Sequence, residues 1–370
     1  EIKTKSLFQV NLEIASLPIE ERKKAWRDLH CQAAPEDEIE ETPEFRAEKL
    51  HELEETIDTI IASSQDKTRP TSSSTNCTTE AYELAQFVNP EYVNSDEFRL
   101  MFLRADRYDV TKAANRLFTY WNRKVDLVGT DKAFRPLSPF LFDFVDPAFQ
   151  HAMNLGGIRL LPYFDQAGRI ILFSYRQYWY EEGGDEGEVN DVMLKAIWTM
   201  VHLAVTDPDH GEYIQRNGMV ILAARGDIPP GKKEDTVLHK ANKMKMKWHD
   251  LIKALPLQLV CTHHVAPGQV DQIQAAIQFM FSNVFLRARY RQYTGSPEEN
   301  IKALKKCGIP PDAVPTELGG ELHFNYTEWL CDQLAFEEDT SGEMPSEEND
   351  TDDSMFVDEF DYDEEIEIYT

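Results

Sequence analysis

The chain has 370 residues, of which 42% are hydrophobic and 11% aromatic, enough to bury one core of roughly 200 to 250 residues with appendages. Its net charge of −28 argues against a broad nucleic-acid interface, which needs clustered positive charge, and no apolar run reaches the roughly 18 to 20 residues of a membrane span. Cys31, Cys77, Cys261, Cys307 and Cys331 are odd in number and widely scattered, which disfavours a zinc knuckle and a secreted disulfide framework and points to a reducing, cytoplasmic setting.

The opening residues, EIKTKSLFQV, lack the basic-then-apolar order of a secretory signal. Helices are predicted over 18–30 and 43–61, the second carrying Leu50, Leu53, Ile57 and Ile61 at helical spacing. The Ser/Thr/Pro-rich stretch 63–79 then reads as a flexible linker. Residues 1–79 are therefore taken as an N-terminal helical extension with its linker. From Glu80 to about 130 the pattern is again helical. Its last helix follows an Asp109 N-cap and puts Val110, Ala113, Ala114, Leu117 and Trp121 on one face.

Beyond Asp146 the periodicity alternates. Short β-branched apolar runs at 169–175, 218–223 and 257–262 predict strands, and amphipathic stretches at about 188–206, 236–254 and 269–286 predict helices between and after them. Apolar strands alternating with helices imply an α/β domain, here 131–335, whose mostly parallel sheet is covered by helices. Residues 336–370 follow, with sixteen Asp and Glu in 337–370 and no Lys or Arg, a composition that reads as a disordered acidic tail.

Several of these stretches resemble, in the same order, motifs of the CRAL-TRIO lipid-binding family, which includes α-tocopherol transfer protein and the phosphatidylinositol transfer proteins. FLRADRYDVTKAANRLFTYWNRK (102–124) resembles the family's N-terminal helical signature. DQAGRIILF (165–173), QRNG (215–218) and ALPLQLVCTHHVAP (254–267) are similar to the approaches to its strands, and IPPDAVPTELGGEL (309–322) to its closing element. The resemblance spans about residues 95 to 330. It implies a CRAL-TRIO fold with a small all-helical module ahead of the sheet and a mobile gate helix over an internal lipid pocket. It departs at 224–227 and at Gln258 and Val260, so no headgroup ligand is assigned there.

The function expected on these grounds is non-enzymatic. One hydrophobic lipid, of unknown identity and needing no other cofactor, is held internally and carried to or presented at membranes, with phosphoinositide recognition as an added element. The alternative is a lipid-sensing adaptor whose N-terminal helices or acidic tail bind a protein partner. A buried methylene contributes about 0.8 kcal/mol, so one long acyl chain supplies roughly 10 kcal/mol before ordering costs. Candidate lining residues are Phe140, Phe142, Phe144, Phe173, Tyr175, Trp198, Trp248, Leu251 and Ile252; each singly also suits ordinary core.

The gate assignment follows the resemblance and falls on 269–286, where Ile273, Ile277, Met280, Phe281 and Val284 form an apolar stripe. A permanent covering helix would show the same stripe. Directly after it Arg287, Arg289 and Arg291 alternate along a segment read as strand-like, which places them on one side. They suit either an anionic headgroup or surface salt bridges. Lys240, Lys243 and Lys247 share a helical face that suits either solvent or a transient anionic membrane contact, and the acidic tail is a competitor for both patches. Peripheral membrane association in the cytoplasm is the localisation these readings imply.

No Gly-x-Ser-x-Gly elbow, phosphate-cradling Gly-rich Lys loop or His-Glu-x-x-His occurs. His263 and His264 adjoin on a predicted strand, so they point to opposite faces and read as structural or pocket-polar histidines, with no metal expected.

Overall fold

The computed structural model describes residues 7–32, 39–65, 78–136, 147–175, 186–224, 250–266, 268 and 283–340. Helices α1 (Leu7–Ala15), α2 (Ile19–Leu29) and α3 (Pro43–Gln65) open the chain. A helical group follows: α4 (Glu80–Val88), α5 (Pro90–Val93), α6 (Asp96–Ala105), α7 (Val110–Val128) and α8 (Thr130–Ala133). The remainder is α9 (Pro147–Leu155), β1 (Ile158–Phe164), β2 (Ile170–Tyr175), α10 (Glu186–Val205), α11 (Gly211–Asn217), β3 (Met219–Ala224), a helical turn at 250–254 and β4 (Leu259–Val265). Then come α12 (Val284–Ala288), β5 (Tyr290–Tyr293), α13 (Pro297–Lys306) and α14 (Tyr326–Thr340).

The strands form one mixed sheet in the order β1-β2-β3-β4-β5, with β2 to β5 parallel and β1 antiparallel to β2. The predicted α/β class and the three predicted strands are therefore present, each shifted by at most a few residues. The sequence reading missed β1. That strand lies at an edge of the sheet, where Pro162 takes no donor from the ladder, and Arg159 and Pro162 interrupt its apolar run. The reading of 287–291 as strand-like is corrected: Arg287 lies on α12, Arg289 caps it, and Arg291 alone is in β5. Asn283 caps α12 by accepting from Leu286 N at 2.9 Å, and this local cap stabilises a helical turn where the alternation of arginines had read as extended.

Two apolar clusters sandwich the sheet. The first joins one sheet face, through Leu160, Leu172 and Ile221, to α10 and the helical group, with Trp121, Tyr120 and Trp198 fully buried. Leu53 and Ile57 of α3 belong to the same cluster. The second joins the opposite face, through Ile171, Phe173 and Leu222, to α13 and to the 309–322 segment.

Local signals position these pieces. Asp109 caps α7 by accepting from Lys112 N at 3.1 Å, and Ser296 and Glu299 form a capping box on α13. Gly218 enters β3 at φ +81°, and a Cβ there would lie 2.8 Å from Gln258 O, so the turn requires glycine.

Polar contacts tie the motifs that carry the family resemblance. Arg104 of the FLRA stretch donates to Gln215 of QRNG at 2.6 Å and pairs with Glu41 at 2.7 Å and Glu212 at 2.8 Å. Burial alone would raise the Glu41 carboxyl; Arg104, Tyr108 and Arg216 pull it down to about 2. Arg116 forks onto Asp106 and donates to the carbonyls of Ile252 and Leu255, each at 3.0 Å, fastening α7 to the turn before β4.

Candidate functional site at the carboxyl edge of the sheet

In an open parallel sheet the ligand crevice forms outside the carboxyl ends of the strands. Here the chain leaves β2 at Tyr175, β3 at Ala224 and β4 at Val265, and those ends lie side by side: Tyr175 pairs with Ala224, Ala224 with Val265, and Val265 with Tyr293. One residue earlier a second row crosses the sheet, Ser174–Ala223–His264–Gln292, followed by Leu172–Ile221–Thr262–Tyr290. Strand alternation puts these two rows on the face that carries the first cluster.

Towards β1 that face is closed: Leu172 is buried under α10 and the helical group. Towards the carboxyl edge it changes character. Ser174, Ala223, Thr262, Tyr290 and Gln292 are all only partly buried, and the first three are small. His264 is buried among them, with Nδ1 2.6 Å from the Tyr290 hydroxyl. A floor of this kind offers short side chains over which an apolar molecule can lie, with a few hydroxyl, imidazole and amide groups to orient a polar end.

The opposite face is shut by a buried polar network. His263 Nδ1 lies 2.7 Å from the Tyr293 hydroxyl and its Nε2 3.4 Å from Cys261 Sγ. Burial, with Arg169 and Arg291 adding to it, holds His263 neutral, its pKa lowered to about 3. Asp165 and Arg169 form a buried pair at 2.7 Å, and the Cys31 thiol donates to Asp165 at 3.1 Å. Burial pushes the Cys261 thiol up to about 12 and raises Cys31 as well. Both sulfurs are therefore held as thiols, the form that is a poor nucleophile.

The candidate residues distribute unevenly over this frame. Phe173 and Tyr175 lie on the shut face, stacked at 5.8 Å, with the Arg159 guanidinium 5.3 Å from the Phe173 ring. Trp198 lies in the first cluster, stacked on Tyr120 at 4.9 Å. Leu251 is buried in the same cluster, and Ile252 is partly buried. Phe140, Phe142, Phe144, Trp248, Lys240, Lys243 and Lys247 lie outside the described residues, as do Ile273, Ile277, Met280 and Phe281; Val284, the last of that stripe, is partly buried at the start of α12.

The three arginines meet α1 and α2. Arg287 pairs with Glu13, while Arg289 pairs with Glu21 and Asp28, each at 2.7 Å. Arg291 donates to His30 Nε2 at 3.2 Å and to Cys307 Sγ at 3.3 Å. Among the described residues, Arg287 Nε and Nη1 are buried with no hydrogen-bond partner.

Sequence reasoning overlooked the floor residues. Their signal is positional: Ser174, Ala223, His264 and Gln292 are each the penultimate residue of a parallel strand, and Ser174 and Ala223 put small side chains at the end of the apolar runs IILF and MVIL.

A cleft of about 390 Å³ elsewhere is lined by Arg159, Leu161, Glu317, His323 and Phe324 among others. The ion pair between Arg159 and Glu317 lies on its wall, which suits it poorly to hydrocarbon. None of the helices among the described residues is long and apolar enough to cross a membrane.

No family model matches the chain, and no curated protein matches it. Among solved structures, the crystal structure of Sfh5 aligns with 81% of this chain and 100% of that chain, at 11% identity and a TM-score of 0.44.

Proposed function

We propose that the chain is a CRAL-TRIO-like lipid-binding protein that lays a hydrophobic lipid on the carboxyl-edge floor and carries or presents it at membranes. The observation that supports this reading is the floor itself. Ser174, Ala223 and Thr262 are small and partly exposed near the carboxyl ends of strands whose next residues towards the shut face, Phe173, Leu222 and His263, are fully buried. The family motifs point the same way, and the gate that the resemblance places at 269–286 is the proposed lid.

Binding needs no catalyst. An acyl or prenyl chain gains about 0.8 kcal/mol per buried methylene, and the polar groups of the floor select its functional end. Arg287, with two buried donors still unfilled, is the candidate for an anionic headgroup; Arg289 and Arg291 would share it only after releasing α2.

The test is lipid extraction and mass spectrometry of the purified chain beside the Ala223→Trp variant. A bulky ring on the floor is expected to lower bound lipid by about tenfold or more with a smaller change in Tm than a ring on the shut face, because Ala223 is only partly buried. Absence of any co-purifying or vesicle-acquired lipid in the parent chain overturns the reading.

One feature favours an adaptor role as a second reading. On α4, Leu84, Phe87 and Val88 stand exposed at i, i+3 and i+4, a stripe shaped to bind another protein. Retention of bound lipid without any transfer between vesicles, together with partner capture lost in Phe87→Ser, would select it.

A further inference from the structure

Two helices present large apolar side chains to solvent beside the arginine row. On α2, Ile19 is 59% and Trp26 53% exposed, and on α12 Phe285 is 52% exposed. Helical geometry places Ile19, Arg22, Lys23 and Trp26 within an arc of about 100°, and all four are exposed. The opposite arc carries Glu21, Ala25 and Asp28, which turn to the body: Ala25 is buried, and both carboxylates pair with Arg289. The same Arg289 guanidinium donates to Phe285 O at 3.2 Å, so one side chain locks α2 and α12 together and fixes the outward face of both.

We propose that this face, Trp26, Ile19 and Phe285 flanked by Arg22 and Lys23, docks the protein on an anionic membrane surface. The inference rests on the lipid-binding reading and supplies its missing step, the place where the carrier meets the bilayer. Charge chooses the partner. Two of the three acids on α2 are spent on Arg289, which leaves Arg22 and Lys23 outward against Glu20 alone, with Glu20 paired to Lys23 at 2.9 Å. An exposed tryptophan beside cations is the composition of an interfacial helix, where the ring enters the headgroup layer and the charges stay at the phosphates. The other exposed stripe, on α4, is flanked by Glu80, Glu83 and Glu91 and would be repelled by the same surface.

The experiment is co-sedimentation of the full chain with phosphatidylcholine vesicles, with and without phosphatidylserine, at low and high salt, and with mass spectrometry of bound lipid on each sample. The parent chain is expected to sediment with serine-containing vesicles at low salt. Ile19→Ser with Trp26→Ser should weaken that binding by about tenfold or more, leaving bound lipid unchanged because the pair faces away from the floor. Arg22→Glu with Lys23→Glu should abolish the preference for phosphatidylserine. Equal sedimentation of parent and double-serine variants overturns the docking face, as does failure of the parent to sediment. A parent dimer that the serine variants convert to monomer overturns it in favour of a second copy of the chain. Loss of the docking result with lipid still bound leaves the pocket reading standing; a chain that docks but holds no lipid refutes the pocket instead.

Discussion

Neighbouring residues of β3 meet opposite fates. Leu222 is fully buried on the shut face, in the row that joins Phe173 to His263, whereas Ala223 points to the other face and is only partly covered. The same division holds on β2, between Phe173 and Ser174, and on β4, between His263 and Thr262. On one face the side chains are large and buried; on the other, near the carboxyl edge, Ser174, Ala223 and Thr262 are short and only partly buried. Full burial and partial exposure are thus separated by strand alternation within single strands rather than between domains.

The largest expected effect tests that separation directly. Leu222→Asp places an unpaired carboxylate among Ile171, Phe173 and Val220 and should unfold the domain, a loss on the order of 5 kcal/mol or more. Ala223→Asp, one residue away, should cost about 1 kcal/mol, because its carboxylate keeps solvent. Urea denaturation of both variants measures the contrast. Equal losses would mean that the two faces are packed alike and would remove the floor.

Acid should break the shut face next. The His263 pKa is about 3 in the folded chain against roughly 6.5 when unfolded. Below 6.5 the unfolded chain takes up the proton and the folded one does not. The stability held by the neutral ring is therefore complete above pH 6.5 and declines as the pH falls towards 3, by about 5 kcal/mol in all. His263→Gln should remove this component and flatten the dependence of unfolding free energy on pH across that window by about one proton. An unchanged slope would place the titration elsewhere.

The contrast between faces was only half legible in the sequence. The parallel strands announced themselves because both of their faces are largely apolar, giving the runs IILF, MVIL and LVC. The same property conceals which alternate residues face which side, and this is why Phe173 and Trp198 drew attention as lining while Ser174, Ala223 and Thr262 did not. Aromatic size marks burial; it does not distinguish a wall of a cavity from its foundations. The helical group was legible from the Asp109 cap and the stripe down to Trp121, and the contact of Arg104 with Gln215 gives those separate motifs one physical reason to occur together. The arginine row was legible as a cluster but not in its partners, since Glu13, Glu21 and Asp28 lie more than 250 residues away along the chain.

The smallest effect is also the most discriminating for what the floor holds. Thr262 sits in the row beneath His264, partly exposed, with Ile221 and Tyr290 as its cross-strand partners. Valine has nearly the same shape, so Thr262→Val changes one hydroxyl and little else. On a packed face, exchanging a hydrogen-bonded hydroxyl for a methyl costs about 1 kcal/mol or more. On an open floor the hydroxyl meets water or ligand, and the expected change in unfolding free energy is below about 0.5 kcal/mol. What should move instead is the composition of the bound lipid, away from species with a polar group near the His264–Tyr290 pair and towards plain hydrocarbon, as read by mass spectrometry of extracts from the two proteins. A stability loss without a change in lipid would return Thr262 to the core and shrink the floor to Ser174 and Ala223.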